Sequence, residues 1–193
     1  MSSPECPFCN IANTNPPVNL KGLEPIESNS FEPAKNTAHL ILSTDHVLAF
    51  LDIMPLTRGH VLVISRKHYE MLGDMGVEAG QEIGKWLPVL SRVMTKTVFG
   101  DDSDRHWNVL QNNGARAAQV VPHVHFHLIP RPKTDDAHKS SFVMFGRGQR
   151  QDLDDDEAEV LVRAMRVELV KEISRIKRDE GVDLMSDLKR GKL

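Results

Sequence analysis

The segment Pro122-His123-Val124-His125-Phe126-His127-Leu128-Ile129-Pro130 concentrates the chemistry of the sequence. Successive side chains of a strand point to opposite faces, so His123, His125 and His127 are expected on one face and Val124, Phe126 and Leu128 on the other. The apolar set can pack beneath a helix and leave three imidazoles along a cleft. Imidazole titrates near neutral pH, which suits proton transfer, nucleophilic attack or anion contact. Two plainer readings compete. Chance polar-face histidines would not be expected in strict alternation between two prolines. A three-histidine metal site fails on reach: at about 3.3 Å per residue, His123 and His127 stand roughly 13 Å apart along a straight strand, against metal–nitrogen bonds of about 2 Å. At most one or two of them join a given ion, and the spacing favours catalysis.

A second feature is Cys6-Pro7-Phe8-Cys9. In a reducing compartment such a pair more often binds metal or does redox work than forms a staple. The compartment is expected to be intracellular, cytoplasmic or nuclear, because the first residues lack the basic start and apolar stretch of a signal peptide. No apolar run approaches the roughly 18 residues of a membrane span. With 193 residues, 24 Lys+Arg against 27 Asp+Glu and 40% hydrophobic residues, the composition is that of a globular domain. The charge balance gives no reason to expect a nucleic-acid footprint or a polybasic membrane patch.

Several elements must position these residues. His39 to Leu42, Val47 to Leu51, Gly59 to Ser65, Trp107 to Leu110 and Val121 to Ile129 read as strands. Ile83, Trp86, Leu87, Leu90, Val93 and Met94 recur at helical spacing and predict an amphipathic helix over 77–97, kinked or split by Pro88. Residues 13–38, rich in Asn, Pro, Ser and Glu, read as a surface insertion. From residue 150 an acidic start, apolar positions at Val160, Leu161, Ala164, Met165, Val167, Ile173 and Ile176, a basic end and Gly181 predict a C-terminal helix, packed on the domain or on a second subunit. The fold class is α+β with a mainly antiparallel sheet, divided into a domain over 1–149 and a helical extension over 150–193.

The histidine segment resembles the His-φ-His-φ-His-φ-φ signature of the histidine-triad (HIT) nucleotide hydrolases and transferases. Phe50-Leu51-Asp52-Ile53-Met54-Pro55, with Arg58-Gly59-His60 running on to Lys67-His68, resembles that family's first-half motif. Asn108 to Gly114, with Gln119 before His123, resembles its phosphate-contacting loop, and Cys6 to Ile11 the start of its HINT branch. The asparagine-rich loop and His-Phe-His-Leu-Ile-Pro look most like fungal adenosine monophosphoramidases of that branch.

The resemblance implies a five-stranded antiparallel sheet with one long helix, and a two-fold homodimer joining two sheets. It makes His125 the nucleophile toward the α-phosphorus of an adenine nucleotide, forming a nucleotidyl-histidine that water cleaves. His60, His127 and His123 are implied as the accompanying catalytic histidines. Phe8, Ile11, Phe50, Ile53 and Leu62 are implied as walls around the base, Asp52 as acceptor of the ribose hydroxyls, and Asn112, Ala118, Gln119 and Val120 as phosphate neighbours. Each apolar wall residue is equally credible as core, Asp52 as a strand-end turn residue and Asn112 as a turn asparagine. Relatives also place a structural zinc ion between residues matching Cys6, Cys9, His68 and His123, a proper tetrahedral set. The sequence departs from the family where Ala118-Gln119-Val120 replaces Gly-Gln-Ser or Gly-Gln-Thr, which removes a hydroxyl from the phosphate loop. The implied activity is hydrolysis of adenosine 5′-phosphoramidates to AMP and an amine. Dinucleoside polyphosphate hydrolysis and a nucleotide-binding scaffold with incidental turnover are the alternatives. An aprataxin-like role in DNA-end repair lacks the zinc-finger region and basic face it needs.

Overall fold

The computed structural model describes residues 6–17, 38–133 and 152–184. Most of the expected 13–38 insertion lies outside them. Asn13 and Thr14 instead complete a short helix, α1 (Pro7–Thr14), which opens on a proline whose fixed φ suits the first helical turn.

Five strands follow: β1 (Leu40–Ser43), β2 (Val47–Leu51), β3 (Val61–Ser65), β4 (Trp107–Gln111) and β5 (His125–Pro130). They form one sheet in the order β1-β2-β3-β5-β4, antiparallel at every pairing. Two long helices, α2 (Val77–Phe99) and α3 (Asp155–Asp179), complete the α+β fold.

Strands β2 and β3 are buried at every position, because the sheet is covered on both faces. Val47, Ala49, Leu51, Val61, Val63 and Leu128 face a core built with α2 and α3. Leu48, Phe50, Leu62 and Ile64 face the opposite way, onto Phe8, Cys9 and Ala12 of α1. Two-sided cover explains why these strands read as continuous apolar runs rather than as alternation.

Helix α2 runs unbroken through Pro88, contrary to a split; Pro88 lies exposed, where the carbonyl freed by its missing N–H can be hydrated. Helix α3 is capped by Asp154, whose carboxylate accepts the Glu157 N–H at 3.0 Å, and carries three acidic residues in its first turn and Lys177 and Arg178 in its last. Its Ala158, Leu161, Met165, Leu169, Ile173 and Ile176 are buried in the same core as Trp86, Leu90 and Met94, so α3 packs on its own domain. No helix among the described residues is long and apolar enough to cross a membrane.

The expected strand over 121–129 begins only at His125. Pro122 has no N–H to enter a ladder, the His123 N–H turns back to the Val121 carbonyl (2.8 Å), and the Val124 N–H goes to Tyr69 (2.7 Å). His123 therefore precedes the strand, and only His125 and His127 stand in register on it.

Candidate active site

Register brings the site together. On β5, His125 pairs with Ile64 and His127 with Leu62, while Phe126 pairs with Val63 on the helix-covered face. The two imidazoles thus share the α1 side of the sheet with Phe50, itself paired with Leu62. Their ring centroids lie 4.9 Å apart.

The protonation state of His125 follows from its partner. Its Nδ1 stands 2.6 Å from the His123 carbonyl oxygen, which can only accept, so Nδ1–H donates. In the neutral ring, Nε2 then carries a free lone pair. Burial pushes the His125 imidazole below its ordinary range, against the raising influence of that hydrogen bond and of Asp52. A neutral ring with a fixed tautomer is the form a nitrogen nucleophile needs.

Beside it, His60 Nε2 lies 3.0 Å from His127 Nδ1. At the other side of His60, Nδ1 meets the Leu56 N–H at 3.2 Å and Asp52 Oδ2 at 3.3 Å. The second Asp52 oxygen accepts the Met54 N–H at 2.9 Å. Because His60 Nδ1 accepts the Leu56 N–H, the proton of the neutral ring sits on Nε2 and is donated to His127 Nδ1, so the two imidazoles form a linked pair beside the Asp52 carboxylate, able to pass a proton. His60 is seated by the connection from β2 to β3. There Gly59 adopts φ +84°, and a Cβ would come within 2.5 Å of Val98 Cγ2.

His123 is diverted from the cleft row that alternation predicts. Its Nε2–H donates to the Ser65 carbonyl at 2.7 Å, which turns the Nδ1 lone pair toward Cys6 Sγ (3.5 Å) and Cys9 Sγ (3.7 Å). His68 Nδ1 is 3.3 Å from Cys9 Sγ. With both ring nitrogens committed, His123 serves neighbouring His125 through its backbone carbonyl rather than as a third free imidazole. Burial drives its imidazole down to about 4, keeping Nδ1 available as a lone pair. The four ligand atoms of Cys6, Cys9, His68 and His123 lie within 4.8 Å of one another. For zinc bonds of about 2.3 Å to sulfur and 2.0–2.1 Å to nitrogen, a tetrahedron has sulfur–nitrogen edges of about 3.6 Å. The observed separations straddle that value, so these residues fit a zinc ion.

The remaining sequence candidates divide. Phe8, Phe50 and Leu62 are buried on the site side of the sheet, and Ile11 packs partly against them. Ile53 is 65% exposed, free of the core and open to a ligand. Asn112 is half-buried after β4. Gln119 is a brace: its Oε1 accepts the Gly114 N–H at 2.6 Å and its Nε2 donates to the Glu70 carbonyl at 2.7 Å. Ala118 takes a left-handed backbone, φ +64°, where the family's glycine would be free of strain. Val120 is 90% exposed. Sequence reasoning missed Leu56 and Ser65, because both act through backbone atoms that any residue type possesses.

Comparison with known proteins agrees with this geometry. The HIT domain family matches residues 34–134. A HIT-like protein of Methanocaldococcus jannaschii is 38% identical over 118 residues, covering 61% of this chain and 84% of that one. The adenosine 5′-monophosphoramidase of Schizosaccharomyces pombe is 43% identical over 88 residues, 46% of this chain and 60% of the yeast protein. Among solved structures, a zinc-bound histidine triad family protein from Mycobacterium smegmatis superposes with TM-score 0.61 at 26% identity, covering 88% of this chain and 96% of that one. The chain belongs to the HIT family.

Proposed function

We propose that this protein hydrolyses adenosine 5′-phosphoramidates to AMP and an amine through a nucleotidyl-His125 intermediate. The observation that carries this reading is the His125 tautomer, Nδ1–H on the His123 carbonyl with Nε2 left as a lone pair. Nε2 attacks the α-phosphorus and the P–N bond breaks. The leaving amine takes a proton from the linked His60–His127 pair, which Asp52 flanks. Water then attacks the nucleotidyl-histidine, returns a proton to the pair and releases AMP and free His125. Phe8, Ile11, Phe50, Ile53 and Leu62 flank the base, while Asn112 and the backbone of 118–120 face the phosphate. Similarity to the fission-yeast adenosine 5′-monophosphoramidase supports this substrate class.

Zinc at Cys6, Cys9, His68 and His123 would act as a structural cross-link tying α1 to the sheet. Thiolates in that role suit a reducing compartment, cytoplasm or nucleus. The edge strand β4 exposes Trp107, Val109 and Leu110, which favours a homodimer through that edge.

Exposed Val120, in place of the family's phosphate-binding hydroxyl, favours a second reading as a nucleotide-binding module with slow turnover. The test is a side-by-side assay with an adenosine phosphoramidate and a diadenosine polyphosphate. Preference for the phosphoramidate by orders of magnitude supports the proposal, and preference for the diadenosine compound overturns its substrate. AMP binding without cleavage of either supports the second reading.

A further inference from the structure

Phe8 lies between the two cysteines on α1, and its ring meets three others edge-on: Phe50 at 5.7 Å, His123 at 5.8 Å and His125 at 5.2 Å between centroids. The short helix and its N-cap residue Cys6 therefore carry the two sulfurs of the cysteine–histidine cluster and the aromatic group packed on the histidine read as nucleophile. Edge contacts of this kind fix ring orientation in a way aliphatic packing does not. A second link runs through His123. Its Nδ1 faces the sulfurs and its carbonyl accepts the His125 Nδ1–H. Ser65 holds the His123 ring from behind.

We infer that Phe8 is a positioning residue that couples the Cys6/Cys9/His68/His123 metal cluster to His125, so that an occupied cluster holds the His125 ring in its reactive orientation. This rests on the zinc and nucleophile readings above. The physical reason is that α1 is only eight residues long, too short to hold itself as an isolated helix. Its position depends on what anchors its ends. Thr14 and Asn15 close it with local hydrogen bonds, and Arg66 donates to the Ala12 carbonyl at 2.7 Å, while the N-terminal end carrying Phe8 is held by packing on the sheet and by the sulfur–imidazole contacts of Cys6 and Cys9. A bound ion would replace loose sulfur–imidazole contacts with fixed bonds, and Phe8 would transmit that rigidity to His125.

The experiment compares imidazole-nitrogen NMR of His125 in three samples: zinc-loaded wild type, wild type stripped with a chelator, and zinc-loaded Phe8→Leu. The loaded wild type should show one sharp Nδ1–H tautomer. Stripping should broaden or mix that signal. Phe8→Leu should do the same with zinc still stoichiometric, and should lower kcat on an adenosine phosphoramidate about tenfold with KM nearly unchanged. An unchanged His125 signal in folded, stripped protein overturns the coupling. So does an unchanged signal in Phe8→Leu, whatever stripping does, and this variant decides the matter if the stripped protein unfolds. A rise in KM with kcat intact would make Phe8 a base wall alone. The NMR readout needs no turnover, so failure of the proposed activity in a separate assay is distinguishable from failure of this coupling.

Discussion

Two backbone carbonyls set the chemistry of two adjacent histidines in opposite directions. Ser65 takes the Nε2–H of His123 and leaves Nδ1 for the cysteine cluster, while His123 takes the Nδ1–H of His125 and leaves Nε2 for the cleft. In the proposed reading the same side chain becomes a ligand or a nucleophile according to which nitrogen meets a carbonyl. The pattern was visible in the sequence as alternating histidines; the division of labour was not, because it depends on the turn at Pro122 and on backbone acceptors. The phosphate loop gives a residue-scale prediction. Val120 is 90% exposed, so Val120→Ser should change stability by no more than about 0.5 kcal/mol. A new hydroxyl reaching the phosphate should add about 1 kcal/mol of binding, roughly a fivefold tighter Kd for AMP by calorimetry. Unchanged affinity would mean that the side chain at 120 does not reach the phosphate.

Among the elements, the connection from β2 to β3 is the most constrained. A Cβ at Gly59 would meet stiff, branched Val98 at 2.5 Å, and φ is +84°. Left-handed strain of about 1–2 kcal/mol and overpacking of about 1–3 kcal/mol should together make Gly59→Ala lose about 2–5 kcal/mol in urea unfolding. A loss under about 1 kcal/mol would show that the turn relaxes freely. The interface of α2 with α3 gives a pH prediction. Arg175, with Arg92, holds the Glu172 carboxyl below its ordinary range. A depressed carboxylate stabilises the fold above its unfolded pKa and loses that contribution as the pH falls through the folded one. Stability should therefore drop on acidification through and below the ordinary carboxylate range, and Glu172→Gln should flatten that limb in unfolding measured across pH. An unchanged acid limb would remove Glu172 from the account. Helix α2 was legible from its apolar spacing and α3 from its charge ends and Gly181. The early end of the β5 ladder was not, since strand propensity carries no signal for a carbonyl at Tyr69 claiming the Val124 N–H.

On the scale of the whole molecule, one face of the sheet is given to stability and the other to chemistry. Helices α2 and α3 bury the first in the main core, and α1 brings the cysteine pair and Phe8 onto the second. The edge strand β4, with Trp107 at 42% and Val109 at 46% exposure, is the surface through which the proposed homodimer would form. Sedimentation should give twice the monomer mass, and Val109→Lys should shift it toward the monomer; a monomeric wild type at micromolar concentration would refute the dimer. The central claim remains the role of His125, and kcat of His125→Ala on an adenosine phosphoramidate tests it most directly. A loss of at least about 10⁴-fold with circular dichroism unchanged is expected, and turnover within tenfold of wild type would contradict a nucleophilic role for His125.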